Sequence, residues 1–367
     1  MKKLIVLLTI ITLFTRCNEE LTIDREVFAT TPEAIGNISF TSRGHIVYSH
    51  HPFYKPENRV MIMHHRSKKT SPFPNKQWNT PNDTNELFLS DVLGIRNDEN
   101  SIVWMLDMGL RDTITPKVVG WNTLTHEVEN IYYLDSTVTT KYSFPNDLVV
   151  DTKHKFFIIA DEGIANGGDG STAGFILVDM QTGETRKVLE GNRTTIPENK
   201  PLIIDGKPLK INGKDLLAGN DGITSDAKFE WIYYAPLSGE KLYRIKTDDL
   251  LNPNLTETEL DEKIEIYSDK PNNGGMSIDV DGNLYLTGLE TNSIEVVTAK
   301  GRKVKTIMSD DNLVWPDGIS YNYKDGYMYV SASQVNKGAV FNDGVDLTSP
   351  PFYLFRFKPI AEGVPFR

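Results

Sequence analysis

The sequence predicts an all-β protein, a six-bladed β-propeller of antiparallel four-stranded blades. Two observations carry this expectation. Short runs rich in Val, Ile, Tyr and Phe alternate with clusters of Gly, Asn and Asp, and no long amphipathic helix interrupts them, which is the pattern of antiparallel strands joined by turns. The runs also recur as a loose repeat, and repeats of this size indicate stacked or radial units.

Four segments open the clearest repeats: Asn146 to Asp151, Asn220 to Asp226, Gly274 to Asp279 and Pro316 to Tyr321. Each is followed by a polar turn and an apolar strand, respectively Phe156 to Ala160, Trp231 to Ala235, Leu284 to Thr287 and Tyr327 to Ser331. A further strand is expected at Gly174 to Asp179, Lys241 to Ile245, Ser293 to Thr298 and Phe352 to Phe357. Two earlier units lie around Ile38 to Phe40 with His45 to Ser49, and Leu93 to Ile95 with Ser101 to Asp107. That makes six blades, with five or seven as the alternatives if an N-terminal strand completes the last one. A polar insertion over residues 190–217 stretches the period. Its Asp205-Gly206 pair suggests a hairpin, and the whole is expected to form a flap over one face.

The propeller is expected over residues 31–367, behind a signal peptide at 1–17 and a tether at 18–30. Lys2 and Lys3 precede an apolar run from Leu4 to Phe14, too short to span a bilayer as a mature helix. Cys17 ends that run, where a bacterial lipoprotein is cleaved and lipidated, although Arg16 departs from the small residue expected there. Asn18-Glu19-Glu20 resembles the acidic export tag of some surface lipoproteins. The expected location is therefore the cell envelope, outer membrane or surface, with simple secretion as the alternative. No other cysteine exists, so no internal disulfide can form and stability must come from a core. A monomer is expected, touching membrane through its lipid anchor only. A net charge of −11 argues against nucleic acid, since a phosphate binder needs a basic face.

The innermost strand of each blade starts near the axis, so the residues opening the repeats converge although they are distant in sequence. Asn146, Asp147, Asn220, Asp221 and Asp317 bring oxygen donors suited to a hard divalent cation such as Ca²⁺. The expected metal ligands are Asn146, Asn220 and Asp317; Asp317 and Asp221 are also the candidate catalytic acids. Alternation along a strand sends one member of each Asn-Asp pair away from the axis, and Asn or Asp before Gly is equally an ordinary turn residue. Asp107 and Asp161, which follow apolar strands, are further candidates for ligand contact. The pairs His50-His51 and His64-His65 are expected at the surface or in loops. Gly-x-Ser-x-Gly and phosphate-loop signatures are absent, which leaves no familiar nucleophile and no organic cofactor.

Several segments in order resemble the major royal jelly and yellow protein family. They are Ser71 to Trp78, Trp104-Met105-Leu106-Asp107-Met108-Gly109, Pro116-Lys117-Val118-Val119, Tyr233-Tyr234 with Pro236-Leu237-Ser238, Leu242-Tyr243-Arg244, and Trp315-Pro316-Asp317. The resemblance implies a six-bladed propeller. Members of the family include dopachrome-converting enzymes, amine-binding proteins and proteins with no established chemistry. A more distant resemblance is to gluconolactonase-like propellers, which hold a divalent cation, usually calcium, with a Glu, two Asn and an Asp. Asn146 and Asn220 match the two Asn, Glu33 is a loose match for the Glu, and Gly274 stands where the Asp would be. The expected function is thus dopachrome-tautomerase-like isomerisation or lactone hydrolysis of a small molecule at the channel mouth. The alternative is a non-catalytic binding protein for an aromatic amine or another small ligand.

Overall fold

The runs that read as strands are mostly apolar because each is covered on both faces, as in Phe156–Asp161 and Leu284–Gly288, buried along nearly their whole length. The structure, a computed structural model, describes residues 23–81, 87–109 and 113–367. Six antiparallel four-stranded sheets form the blades of a propeller. Their inner strands are Ile35–Phe40, Val92–Asn97, Pro145–Asp151, Asn220–Ser225, Asn273–Ile278 and Pro316–Asn322, and each contacts the inner strand of the next blade around the ring.

Six hydrophobic clusters fill the gaps between neighbouring blades. One joins Val149 and Phe175 of the third blade to Ile223 and Tyr234 of the fourth, and another joins Ile35 and Tyr48 of the first to Tyr329 and Leu354 of the sixth. Blades are held by packing against each other, so no single sheet has a core of its own.

Arg25–Thr31 pairs antiparallel with Phe352–Phe357 as the outer strand of the sixth blade. This corrects the expected tether at 18–30, whose second half is a strand: the unpaired edge of Phe352–Phe357 takes it up, joining the two ends of the chain in one sheet. The signal peptide and Cys17 lie outside the described residues.

The insertion folds as two small hairpins, Ile203–Ile204 with Lys207–Pro208 and Lys210–Ile211 with Lys214–Asp215. Asp205 and Gly206 both take positive φ, 50° and 75°, as a two-residue hairpin turn requires. Between Lys241–Lys246 and Glu265–Asp269 lie two short helices, Thr247–Leu251 and Glu257–Lys263, the second opened by a capping box of Thr256 and Glu259.

The channel is closed below its mouth. Each inner strand starts with a register shift, and the position just inside it is Asn37, Gly94, Asp147, Gly222, Gly275 or Gly318. The four glycines let adjacent blades touch backbone to backbone: a Cβ on Gly94 would stand 2.5 Å from the Asn146 carbonyl oxygen, and one on Gly275 would stand 2.2 Å from that of Asp317. Arg96 is buried at the same level, donating to Asn37 Oδ1 at 2.9 Å and Asp147 Oδ2 at 2.5 Å. At the far end Arg367 bridges three blades, its carbonyl accepting from Ser277 and Ser320 and its guanidinium donating to the Ser225 carbonyl.

Candidate functional site

The register shift that opens every inner strand bulges one residue toward the axis. Counted from the first regular pair of each blade, that residue is Gly36, Leu93, Asn146, Asp221, Gly274 or Asp317. In the first, third and fourth blades the residue following the second strand comes to the same level, which adds His51, Glu162 and Leu237. All of these except Gly36 floor a cleft walled by Phe53, Phe144, Ile164, Trp315, Val335 and Phe341. Leu216 and Ala218, at the end of the insertion, also line it, while Leu202 and Leu209 pack with Trp315 and Val335, so the insertion covers one side of the mouth.

Polar contacts on the floor form two groups. In the first, the Asn146 amide donates to a Glu162 carboxylate oxygen and to Asp221 Oδ1, the latter at 2.8 Å. Burial, then the neighbouring Asp221 charge, holds the Glu162 carboxyl well above its usual range; burial, then Asp317 and Asp147, does the same to Asp221. In the second group, Ser333 donates to Asp317 Oδ2 at 3.2 Å, and His51 Nε2 stands 3.7 Å from the same oxygen. Burial pushes Asp317 up to about 7 and His51 down to about 3, so this pair is a neutral imidazole beside a carboxyl that exchanges its proton near neutrality. Just behind Asp221, burial pushes Lys270 down to about 7; its ammonium donates to the Leu237 and Pro271 carbonyls at 3.3 and 3.1 Å.

Of the expected site residues, Asn146, Asp221 and Asp317 reach the cleft. Asn220 does not. It pairs with Pro236 in the sheet, and its amide donates to the Gly174 carbonyl at 2.9 Å inside the blade, so the metal trio Asn146, Asn220 and Asp317 is corrected. Asp147 is spent below the mouth on Arg96. Asp107 and Asp161 face their own blades: Asp107 accepts from the Ser90, Asp91 and Gly109 amides and pairs with Lys117 at 3.0 Å, and Asp161 accepts from the Phe144 amide and pairs with Lys187 at 3.1 Å. His50 and His51 are buried rather than superficial. Glu33 lies outside the cleft, 3.3 Å from His50. Glu162 carries no expectation from the sequence, and His51, expected at the surface or in a loop, turns into the cleft instead; the available signal is position, since each follows the last residue of a second strand.

Among the described residues no three His, Cys, Asp or Glu side chains are gathered closely enough to coordinate a metal as they stand. The chemistry of the first group nevertheless fits a hard cation, since Asn146 touches both Glu162 and Asp221, and the three offer only oxygen donors besides the amide nitrogen.

Comparison with known proteins gives a consistent fold. The model of the major royal jelly protein family matches residues 91–349. No curated protein matches the chain. Among solved structures, a gluconolactonase from Xanthomonas campestris superposes with a TM-score of 0.57 at 8% identity, covering 91% of this chain and 89% of that one. The calcium-binding protein regucalcin from Agrobacterium tumefaciens gives 0.57 at 12%, covering 95% and 98%. A luciferin-regenerating enzyme gives 0.57 at 11%, covering 94% and 99%. At these identities the likeness is one of fold.

Proposed function

The chain belongs to the major royal jelly protein family, and from that premise we propose that its cleft converts a small, ring-shaped carbonyl compound by acid–base chemistry. The observation that carries this reading is the division of the floor into Asn146 with two carboxyls that burial raises, Glu162 and Asp221, and a second carboxyl, Asp317, pushed up to about 7 beside His51. In an isomerisation of a quinone-like ring, the Asp317 carboxylate takes a proton from ring carbon while Glu162 or Asp221 gives one to the ring oxygen, so no net proton is lost. In a lactone hydrolysis, Asp317 takes a proton from the water that attacks the carbonyl, and the acid group supplies one to the departing alkoxide oxygen as the ring C–O bond breaks. Asn146, Glu162 and Asp221 are the residues that would hold a divalent cation, which would polarise the substrate carbonyl in place of their protons. The aromatic walls suit a flat substrate.

A second reading rests on one observation: among the described residues no Lys or Arg lines the cleft, while its floor is acidic and its walls aromatic. That combination suits a protonated aromatic amine held without conversion. Export, anchoring at Cys17 and action as a monomer belong to the same proposal and rest on sequence alone.

Incubation of the purified protein with dopachrome and with a panel of sugar lactones, with and without Ca²⁺, tests the enzymatic reading. Turnover lost in a folded Asp317→Asn variant supports it. Turnover of neither class above that variant removes it, and saturable uptake of an unaltered amine would then favour the second reading.

A further inference from the structure

On the face opposite the cleft, the turns joining strands of the first and sixth blades bring together Arg43, His45, His64, Arg66 and Lys324 around an open depression. In a chain of net charge −11 this is an unusual concentration of cations. Its one carboxylate, Asp325, is already engaged by His65 at 2.9 Å, Tyr329 at 2.5 Å and Arg356 at 3.3 Å. Among the described residues no carboxylate pairs with Arg43, Arg66 or Lys324. The His45 and His64 rings lie 4.6 Å apart, and the His65 backbone N–H donates to His45 Nδ1 at 3.4 Å, leaving Nε2 to carry the hydrogen of the neutral ring. Partial burial, then the charges of His64, Arg43 and His65, lowers the His45 pKa, as expected where like charges meet without compensation.

Arg43, His45 and His64 also border a second depression, whose remaining wall includes Ile62, Pro72, Phe73, Pro74 and Trp121. The two share one basic rim, so the groove has a cationic half and an apolar half. Cations from separate turns suit a dianion with several acceptor oxygens, for which guanidinium is the favoured donor.

We propose that this groove binds a phosphate monoester carrying an apolar body, the phosphate on Arg43, Arg66 and Lys324 and the body against Phe73 and Trp121. A soluble ester and a lipid headgroup present the same chemistry, and the two are separated by the experiment below. The site is independent of the chemistry at the channel mouth.

Calorimetry on the purified protein with phenyl phosphate and with inorganic phosphate, and sedimentation with vesicles of phosphatidylcholine with and without phosphatidic acid, tests it. Phenyl phosphate is expected to bind at least tenfold more tightly than inorganic phosphate, or phosphatidic acid to be needed for vesicle binding. Either interaction should weaken roughly tenfold or more in an Arg43→Ser/Arg66→Ser variant, both positions being exposed, and persist in Asp317→Asn. Vesicle binding without phenyl phosphate binding assigns the phosphate to lipid. Binding of neither probe, equal affinity for inorganic and phenyl phosphate, or binding unchanged in the double variant overturns the proposal.

Discussion

Arg96 and Asp147 form a buried ion pair at 2.5 Å directly beneath the channel mouth, one blade reaching across to the next. The guanidinium also donates to Asn37, so a single cation ties three blades together where glycines occupy the other three. Burial raises the Asp147 pKa and the Arg96 charge opposes that rise. Replacing Arg96 by Met therefore strands a carboxylate in a closed space, and a loss of about 3–5 kcal/mol is expected in urea unfolding. Adding Asp147→Leu should recover much of it. If the double variant is as unstable as the single one, the pair is not what the channel floor depends on.

Asp317 ties stability to pH. Its pKa rises from 3.8 unfolded to about 7 in the fold, through burial, so between those values the folded chain holds a proton that the unfolded chain has released. Stability is then full below about pH 4 for this group and declines as pH rises toward 7. An Asp317→Asn variant should match the parent near pH 4 and exceed it in midpoint temperature at pH 8. If Asp317 is the base, turnover of the parent should rise with pH about a midpoint near 7. A variant less stable than the parent at pH 8, with its fold intact, would show that the carboxylate is compensated there.

How the site residues were read from sequence follows from the same geometry. Repeats, strand positions and the Asp205-Gly206 hairpin were legible because they rest on local pattern. Aligning the repeat openings by their first residue matched Asn146 with Asn220, whereas the bulge makes Asp221 the partner of Asn146. Aligning on the first apolar ladder residue, Leu148 with Ile223, Met276 and Ile319, gives the observed ring of Asn146, Asp221, Gly274 and Asp317. Asp161 drew attention as a strand-ending acid, but it is taken by backbone amides and Lys187, and the next residue, Glu162, turns to the mouth. A carboxylate's choice between a loop and a cleft depends on the following backbone, which residue type does not disclose.

Calcium should compete with protons at Glu162 and Asp221, because both carboxyls hold protons well above their usual range. Titration with CaCl₂ at pH 7.5, in buffers of different ionisation enthalpy, is expected to show proton release and a raised midpoint temperature. Glu162→Gln should remove both effects, and the same substitution should lower any turnover by about 10²-fold or more. Heat of binding that is independent of the buffer would place the calcium elsewhere.

The neighbours Gly274 and Gly275 should respond differently to added side chains. A Cβ at Gly275 would meet the Asp317 carbonyl oxygen at 2.2 Å, a backbone atom that cannot step aside without moving the sixth blade. Gly275→Ala is thus expected to cost about 1–3 kcal/mol and to displace Asp317, lowering activity with stability. At Gly274 the nearest atom to a Cβ is Asp317 Oδ1 at 3.5 Å, an ordinary contact, and the Cβ would enter the cleft. Gly274→Asp should therefore fold, and it adds a fourth acid beside Asp317 at the ring level of Asn146 and Asp221. Two outcomes follow from that charge: lower stability without cation at pH 8, and tighter calcium binding than the parent, measured in the same titration. A Gly274→Asp chain that folds as stably as the parent and binds no more calcium would show that this ring position does not face the others across the mouth.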